Sequence, residues 1–83
     1  MKPVKIYTTT YCGYCVRAKD LLTRKGVKYE ELDVTSNDEM RSKLVEMSGQ
    51  RTVPQIWIGD THVGGYSDLA RLESEGRLDP MLA

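Results

Sequence analysis

The only two cysteines of the chain stand three residues apart, in Tyr11-Cys12-Gly13-Tyr14-Cys15. In 83 residues no other feature narrows the fold as much. Small domains bury a modest share of their unfolded surface and often lean on disulfides, metal or a partner. A secreted miniprotein spreads several pairs along the chain, whereas a bond between Cys12 and Cys15 closes a loop too short to remove much unfolded-chain entropy. A structural zinc site wants four ligands, and outside the pair only His62 offers a further nitrogen. Redox chemistry is the reading left for the cysteines.

Composition excludes several other roles. Twelve Lys and Arg balance twelve Asp and Glu, giving a formal net charge of zero. A nucleic-acid binder held by counterion release would show a basic excess or stripe. No apolar run approaches the ~18 residues of a membrane span, and Met1-Lys2-Pro3 leads into a strand pattern without a signal-peptide core. The chain is therefore expected to be a cytoplasmic protein of one domain, residues 1–83, that binds neither nucleic acid nor membrane.

The hydrophobic pattern places the pair within a βαβ unit. Residues 4–8 alternate, with Val4 and Ile6 on one face, and predict a first strand. Cys15, Ala18, Leu21 and Leu22 then recur at helical spacing until Gly26, which suits the left-handed position past a helix end. Residues 27–34 read as a second strand, parallel to the first through a right-handed crossover. Ser36 and Glu39 have the spacing of a capping box, so a second helix is expected over 37–48, with Met40, Leu44 and Met47 toward the core. Residues 55–58 and 61–63 predict an antiparallel hairpin around Gly59-Asp60. After Gly64-Gly65, Ser67 and Asp68 read as the cap and first turn of a third helix reaching Gly76. A short helical turn is expected in 77–83, packing Leu78, Met81 and Leu82. His62 reads as a surface strand residue, and Trp57 as packing on one sheet face.

This order puts Cys12 at the start of the first helix and Cys15 one turn further on. Unpaired N–H groups at a helix start favour an anion. An ordinary thiol titrates near pH ~8.5, and only its thiolate attacks disulfides. The helix-end field can contribute up to ~2 kcal/mol and hydrogen bonds to the charged sulfur ~1.5–3 kcal/mol in favour of that thiolate. Cys12 is thus the expected nucleophile and Cys15 the resolving thiol. Gly13 frees the connecting backbone, and Tyr14 can lay its ring beside the sulfur.

Three segments in order, Cys12-Gly13-Tyr14-Cys15, Thr52-Val53-Pro54 and Gly64-Gly65-Tyr66-Ser67-Asp68, make the chain resemble the glutaredoxin family, dithiol type, over nearly its whole length. The resemblance implies an α/β thioredoxin fold: a four-stranded mixed sheet flanked by three helices, βαβαββα, with Pro54 in a cis bond facing the cysteines. It also implies glutathione as co-substrate, and disulfide-containing or glutathionylated proteins as partners of a monomer. By the same likeness the Val53 backbone pairs with the cysteinyl part of glutathione, and the helix start near Ser67 and Asp68 holds its γ-glutamyl end. Arg51 beside Thr52 meets the glycyl carboxylate, and Gly65 allows close approach. Where many members carry Lys and Pro, this chain has Thr9 and Gly13, and the missing lysine implies weaker glutathione binding or a less favoured thiolate. Some relatives lacking that proline hold a [2Fe-2S] cluster between two subunits, through the first cysteine of each and two glutathiones; this is the second reading. A thioredoxin-like protein reduced by a flavoenzyme is the third.

Overall fold

In the computed structural model, which describes residues 1–83, the alternating segment becomes β1 (Val4–Thr8) and the cysteine-bearing segment α1 (Gly13–Arg24). There follow β2 (Glu30–Asp33), α2 (Asp38–Ser48), β3 (Gln55–Ile58), β4 (Thr61–Gly64), α3 (Tyr66–Ser74) and α4 (Leu78–Leu82). The strands form one mixed sheet in the order β2-β1-β3-β4. β1 runs parallel to β2 and antiparallel to β3, and β4 returns antiparallel to β3. That is the sheet and element order expected from the sequence, with the final turn developed into a five-residue fourth helix.

The two faces of β1 divide the core. Val4 and Ile6 point into a cluster with Ala18, Leu21 and Leu22 of α1, Ile56 and Ile58 of β3, Leu69 of α3, and Leu78 and Leu82 of α4. Tyr7, on the opposite face, packs with Val34 and Leu44, so α2 covers the other side of the sheet. Each fully buried Leu or Ile contributes about 1.5–3 kcal/mol relative to exposure, so this two-sided packing stabilises the domain without a long-range covalent staple. No helix is long and apolar enough to cross a membrane.

Local boundaries depart from expectation for identifiable reasons. The second strand is four residues rather than the whole of 27–34, because the Val27 amide is engaged in ending α1. Gly26, at φ 73°, donates to the Thr23 carbonyl while Val27 donates to that of Leu22 at 2.9 Å, and Val27 then turns its side chain into the core. The Ser36–Glu39 capping box is absent. Asn37 caps α2 instead, its side-chain oxygen accepting from the Met40 amide at 2.9 Å. Met40 packs against the smaller cluster as expected, but Met47 is 52% exposed.

The start of α3 also differs. Gly65, rather than Ser67, occupies the cap position, and the Asp68 carboxylate reaches back to accept from the Gly65 amide at 3.0 Å. Ser67 therefore lies exposed within the first turn. Gly64 is the strictly required glycine of this corner. Its φ is 114°, and an added Cβ would overlap the Asp68 carboxylate.

Candidate active site

Cys12 is the N-cap of α1 and Cys15 lies in its first turn. The two are joined by a disulfide, with Cα atoms 5.2 Å apart. Their exposures differ sharply: Cys15 is 1% exposed, while Cys12 is only half-buried. The Cys15 backbone N–H donates to Cys12 Sγ at 3.1 Å. An amide aimed at this sulfur lowers the cost of charge there once the disulfide is reduced, in addition to the field of the helix end. The pair thus offers one accessible sulfur held in reach of a sequestered one.

Across from Cys12, the Val53–Pro54 bond is cis and the Val53 carbonyl oxygen lies 3.7 Å from Cys12 Sγ. From this point a groove of about 250 Å³ runs between the segment preceding β3 and the start of α3. Tyr14, Thr52, Val53, Pro54, Gly65, Ser67 and Asp68 line it, so seven residues singled out in the sequence converge on one depression beside Cys12. Gln50 and Tyr66 complete the lining. Larger hollows exist elsewhere, such as one of about 350 Å³ beside Tyr7, Met47 and Trp57. The groove is distinguished by its position at the reactive sulfur.

The Tyr14 ring stacks on Tyr66, with centroids 6.2 Å apart, and the Arg17 guanidinium lies 5.5 Å from the Tyr14 centroid. At the far end, Asp68 divides its carboxylate between the Gly65 amide and the Arg71 guanidinium, the latter at 3.2 Å. Two sequence candidates stand outside the groove. Arg51 lines a neighbouring hollow of about 300 Å³ with Arg41, which shares only Gln50 and Val53 with the groove. Thr9 is half-buried after β1, and the hydroxyl that makes contacts in this segment belongs to Thr10.

Of the additional lining residues, Tyr66 was visible in the sequence as an aromatic near the glycine pair. Gln50 carried no signal, because its role depends on a fold-back between α2 and β3.

Two carboxylates secure the approach to Cys12. Glu31 bonds the Lys19 ammonium at 2.9 Å and accepts from the buried Thr8 hydroxyl at 2.8 Å; both hold it below the usual carboxylate range, the lysine more strongly. Asp33 is likewise lowered by the Thr35 hydroxyl and amide, with a smaller part from Thr10. The Thr10 amide in turn donates to the Thr35 hydroxyl at 2.7 Å, linking the segment before Cys12 to the end of β2.

A depressed folded-state pKa means that the folded protein binds fewer protons than the unfolded chain. The stabilisation is therefore complete above the unfolded carboxylate value near pH ~4 and is lost as pH falls through the folded values. Urea midpoints are expected to hold level from about pH 7 to pH 5 and to drop below about pH 4. The double variant Glu31→Gln/Asp33→Asn should flatten that drop; an undiminished drop would show that other carboxylates carry it.

A central mixed sheet with a C-x-x-C pair at a helix start, facing a cis-proline, defines a thioredoxin-fold dithiol protein. Within that class, the glutaredoxin family model matches residues 4–63. The chain is 54% identical over 83 residues to a glutaredoxin of Pseudomonas aeruginosa, covering 100% of this chain and 99% of the relative. It is 48% identical over 82 residues to glutaredoxin 3 of Escherichia coli K12, covering 99% of each. Among solved structures, the buckwheat glutaredoxin-glutathione complex superposes with a TM-score of 0.91 at 36% identity, over 98% of this chain and 76% of that one. The solution structure of a Brucella melitensis glutaredoxin does so at 0.89 with 51% identity, over 99% of this chain and 89% of that one. The chain belongs to the glutaredoxin family and is a thiol-disulfide oxidoreductase.

Proposed function

We propose that this protein uses glutathione to reduce protein disulfides and glutathione mixed disulfides, with Cys12 as nucleophile and Cys15 as resolving thiol. The observation that carries the reading is the accessible Cys12 sulfur, with an amide donor behind it and a ligand-sized groove beside it. In the reduced protein the Cys12 thiolate attacks one sulfur of a disulfide. The substrate S–S bond breaks, a Cys12 mixed disulfide forms, and the departing thiolate takes up a proton. The Cys15 thiolate then attacks Cys12 Sγ, releasing the second thiol and leaving the Cys12–Cys15 disulfide. One glutathione thiolate reopens this bond at Cys12, and a second removes the first as glutathione disulfide.

The groove chemistry matches a glutathionyl group. The Val53 backbone pairs with the cysteinyl peptide as an added strand. The first-turn amides of α3 near Ser67 receive the γ-glutamyl carboxylate. Asp68 faces the adjacent ammonium, and Gly65, where an added Cβ would come within 3.5 Å of the Pro54 carbonyl oxygen, leaves the groove open to the ligand backbone. The glycyl end points toward the hollow that carries Arg51, with Arg41 as a further cation there. The buckwheat complex, a glutaredoxin bound to glutathione, supports this choice of ligand by likeness.

A [2Fe-2S] cluster requires four ligands, mostly thiolates. A single chain does not fit it, because Cys12 alone presents an accessible sulfur and Cys15 is buried. Cluster carriage therefore needs a second copy and external thiols, and it stays behind exchange. Turnover of a small glutathione mixed disulfide, coupled to glutathione and glutathione reductase, tests the main reading. Reduction only by a thioredoxin-type flavoenzyme would overturn it.

The position three residues before Cys12 supplies a further test. A Thr9→Lys variant adds a cation, and it is expected to lower the KM for the glutathione mixed disulfide severalfold and to shift Cys12 alkylation toward lower pH. Such a gain corresponds to about 0.5–1 kcal/mol for one partly exposed charge. No change in either quantity would mean that Thr9 lies too far from sulfur and ligand to matter.

A further inference from the structure

Gln55, the first residue of β3, is a fully buried polar side chain directly after Pro54. Its amide nitrogen lies 2.8 Å from Gln50 Oε1, 3.0 Å from the Thr52 carbonyl oxygen and 3.3 Å from Thr52 Oγ1. Its oxygen lies 2.7 Å from His62 Nε2 on β4. A carbonyl can only accept, so the amide nitrogen must face Thr52 and the amide oxygen must face His62. His62 Nε2 therefore carries the hydrogen of that bond. The imidazole is itself held against Trp57, with ring centroids 4.5 Å apart, so it is no free surface histidine.

The result is a directed chain of donors, from His62 to Gln55 to the Thr52 carbonyl. Val53, whose own carbonyl faces Cys12 Sγ, sits between this tethered Thr52 and the buried Pro54. The same amide also holds Gln50, a wall of the groove. The segment gripped by Gln55 thus carries the backbone that pairs with the substrate, although Gln55 itself lies behind it.

We propose that Gln55 is a positioning residue for thiol exchange and His62 its anchor: together they fix the Thr52-Val53 backbone at the height where a glutathionyl strand can pair beside Cys12. This rests on the reading of the groove as the glutathione subsite. Removing the donor at His62 frees the Gln55 amide to turn and lets Thr52 relax, which weakens substrate pairing without touching either sulfur.

The test compares wild type, His62→Phe and His62→Gln. The first keeps a ring against Trp57 and loses the donor; the second restores a donor. In the glutathione-coupled assay His62→Phe should raise the KM for a small glutathione mixed disulfide about three- to tenfold, as expected for one lost, partly buried hydrogen bond, with kcat little changed and His62→Gln restoring the KM. The Val53 amide resonance should move in His62→Phe and return in His62→Gln. An unchanged KM, a fall in kcat alone, or failure of His62→Gln to rescue would overturn the proposal. Should His62→Phe fail to fold, the ring nitrogen shifts of wild-type His62 decide: hydrogen on Nδ1 alone overturns it, and hydrogen on Nε2 supports it. If wild type turns over no glutathione mixed disulfide, the subsite reading fails instead, and the resonance and tautomer measurements still report on the relay.

Discussion

A Cys12→Ser variant is expected to lose more than about 10³-fold of turnover on every disulfide substrate, as removal of a covalent nucleophile does, while Cys15→Ser keeps turnover of a small glutathione mixed disulfide. The asymmetry follows from access. Cys12 is the accessible, half-buried sulfur, whereas Cys15 is 1% exposed and meets substrate sulfur only through Cys12. A serine hydroxyl at 12 cannot ionise near neutral pH, so neither the helix-end field nor the Cys15 amide can convert it into an attacking anion. At 15, a serine blocks intramolecular release, which a second glutathione replaces when the bound group is itself glutathione. Protein disulfides whose release depends on Cys15 should be reduced poorly by that variant. Equal losses on the small substrate in both variants would refute the division of roles.

The second large effect is expected at Gly64. An alanine there must adopt φ near 114° and force its Cβ into the Asp68 carboxylate. Such backbone strain costs of order 1–3 kcal/mol, and losing the Gly65–Asp68 hydrogen bond at 3.0 Å adds about 1 kcal/mol. For a domain of this size that corresponds to a melting temperature lower by on the order of 10 °C. The start of α3 moves with it, so the KM for a glutathione mixed disulfide should rise at least about tenfold as the γ-glutamyl end loses its amides. Gly65→Ala is the comparison for stability. Gly65 has a negative φ of −92°, and its added Cβ would meet only the Pro54 carbonyl, at 3.5 Å. Thermal unfolding of the two variants separates the cases, and equal destabilisation would remove the special claim for Gly64.

The amphipathic spacing of Cys15, Ala18, Leu21 and Leu22 was sufficient to foresee α1, because one buried face of a helix imposes that period. Val4 and Ile6 likewise foretold which side of β1 faces the main core. Where two local signals competed, the pattern was ambiguous. Asn37 and Ser36 are both good caps, and the one nearer the first helical turn took the Met40 amide. Val27 has strand propensity, but its amide was already engaged in closing α1. Met47 has the right period for burial, yet it borders an open hollow with Lys5, Tyr7 and Trp57 of the sheet and stays 52% exposed.

The candidate site divides along the same line. Local residues supply the chemistry: two thiols one helical turn apart, a turn-forming glycine pair, and an X-Pro bond, all properties of neighbours along the chain. Their meeting depends on long-range packing, because the segments around Cys12, Val53 and Asp68 lie far apart along the chain and are joined through sheet pairing and helix packing. Folding also set Arg51 and Thr9 outside the groove, brought Gln50 into it, and tied His62, a strand residue read as a surface one, to the buried Gln55 as the end of a hydrogen-bond chain. Hydrogen bonds across a sheet depend on register and side-chain direction, which no local pattern of residues encodes.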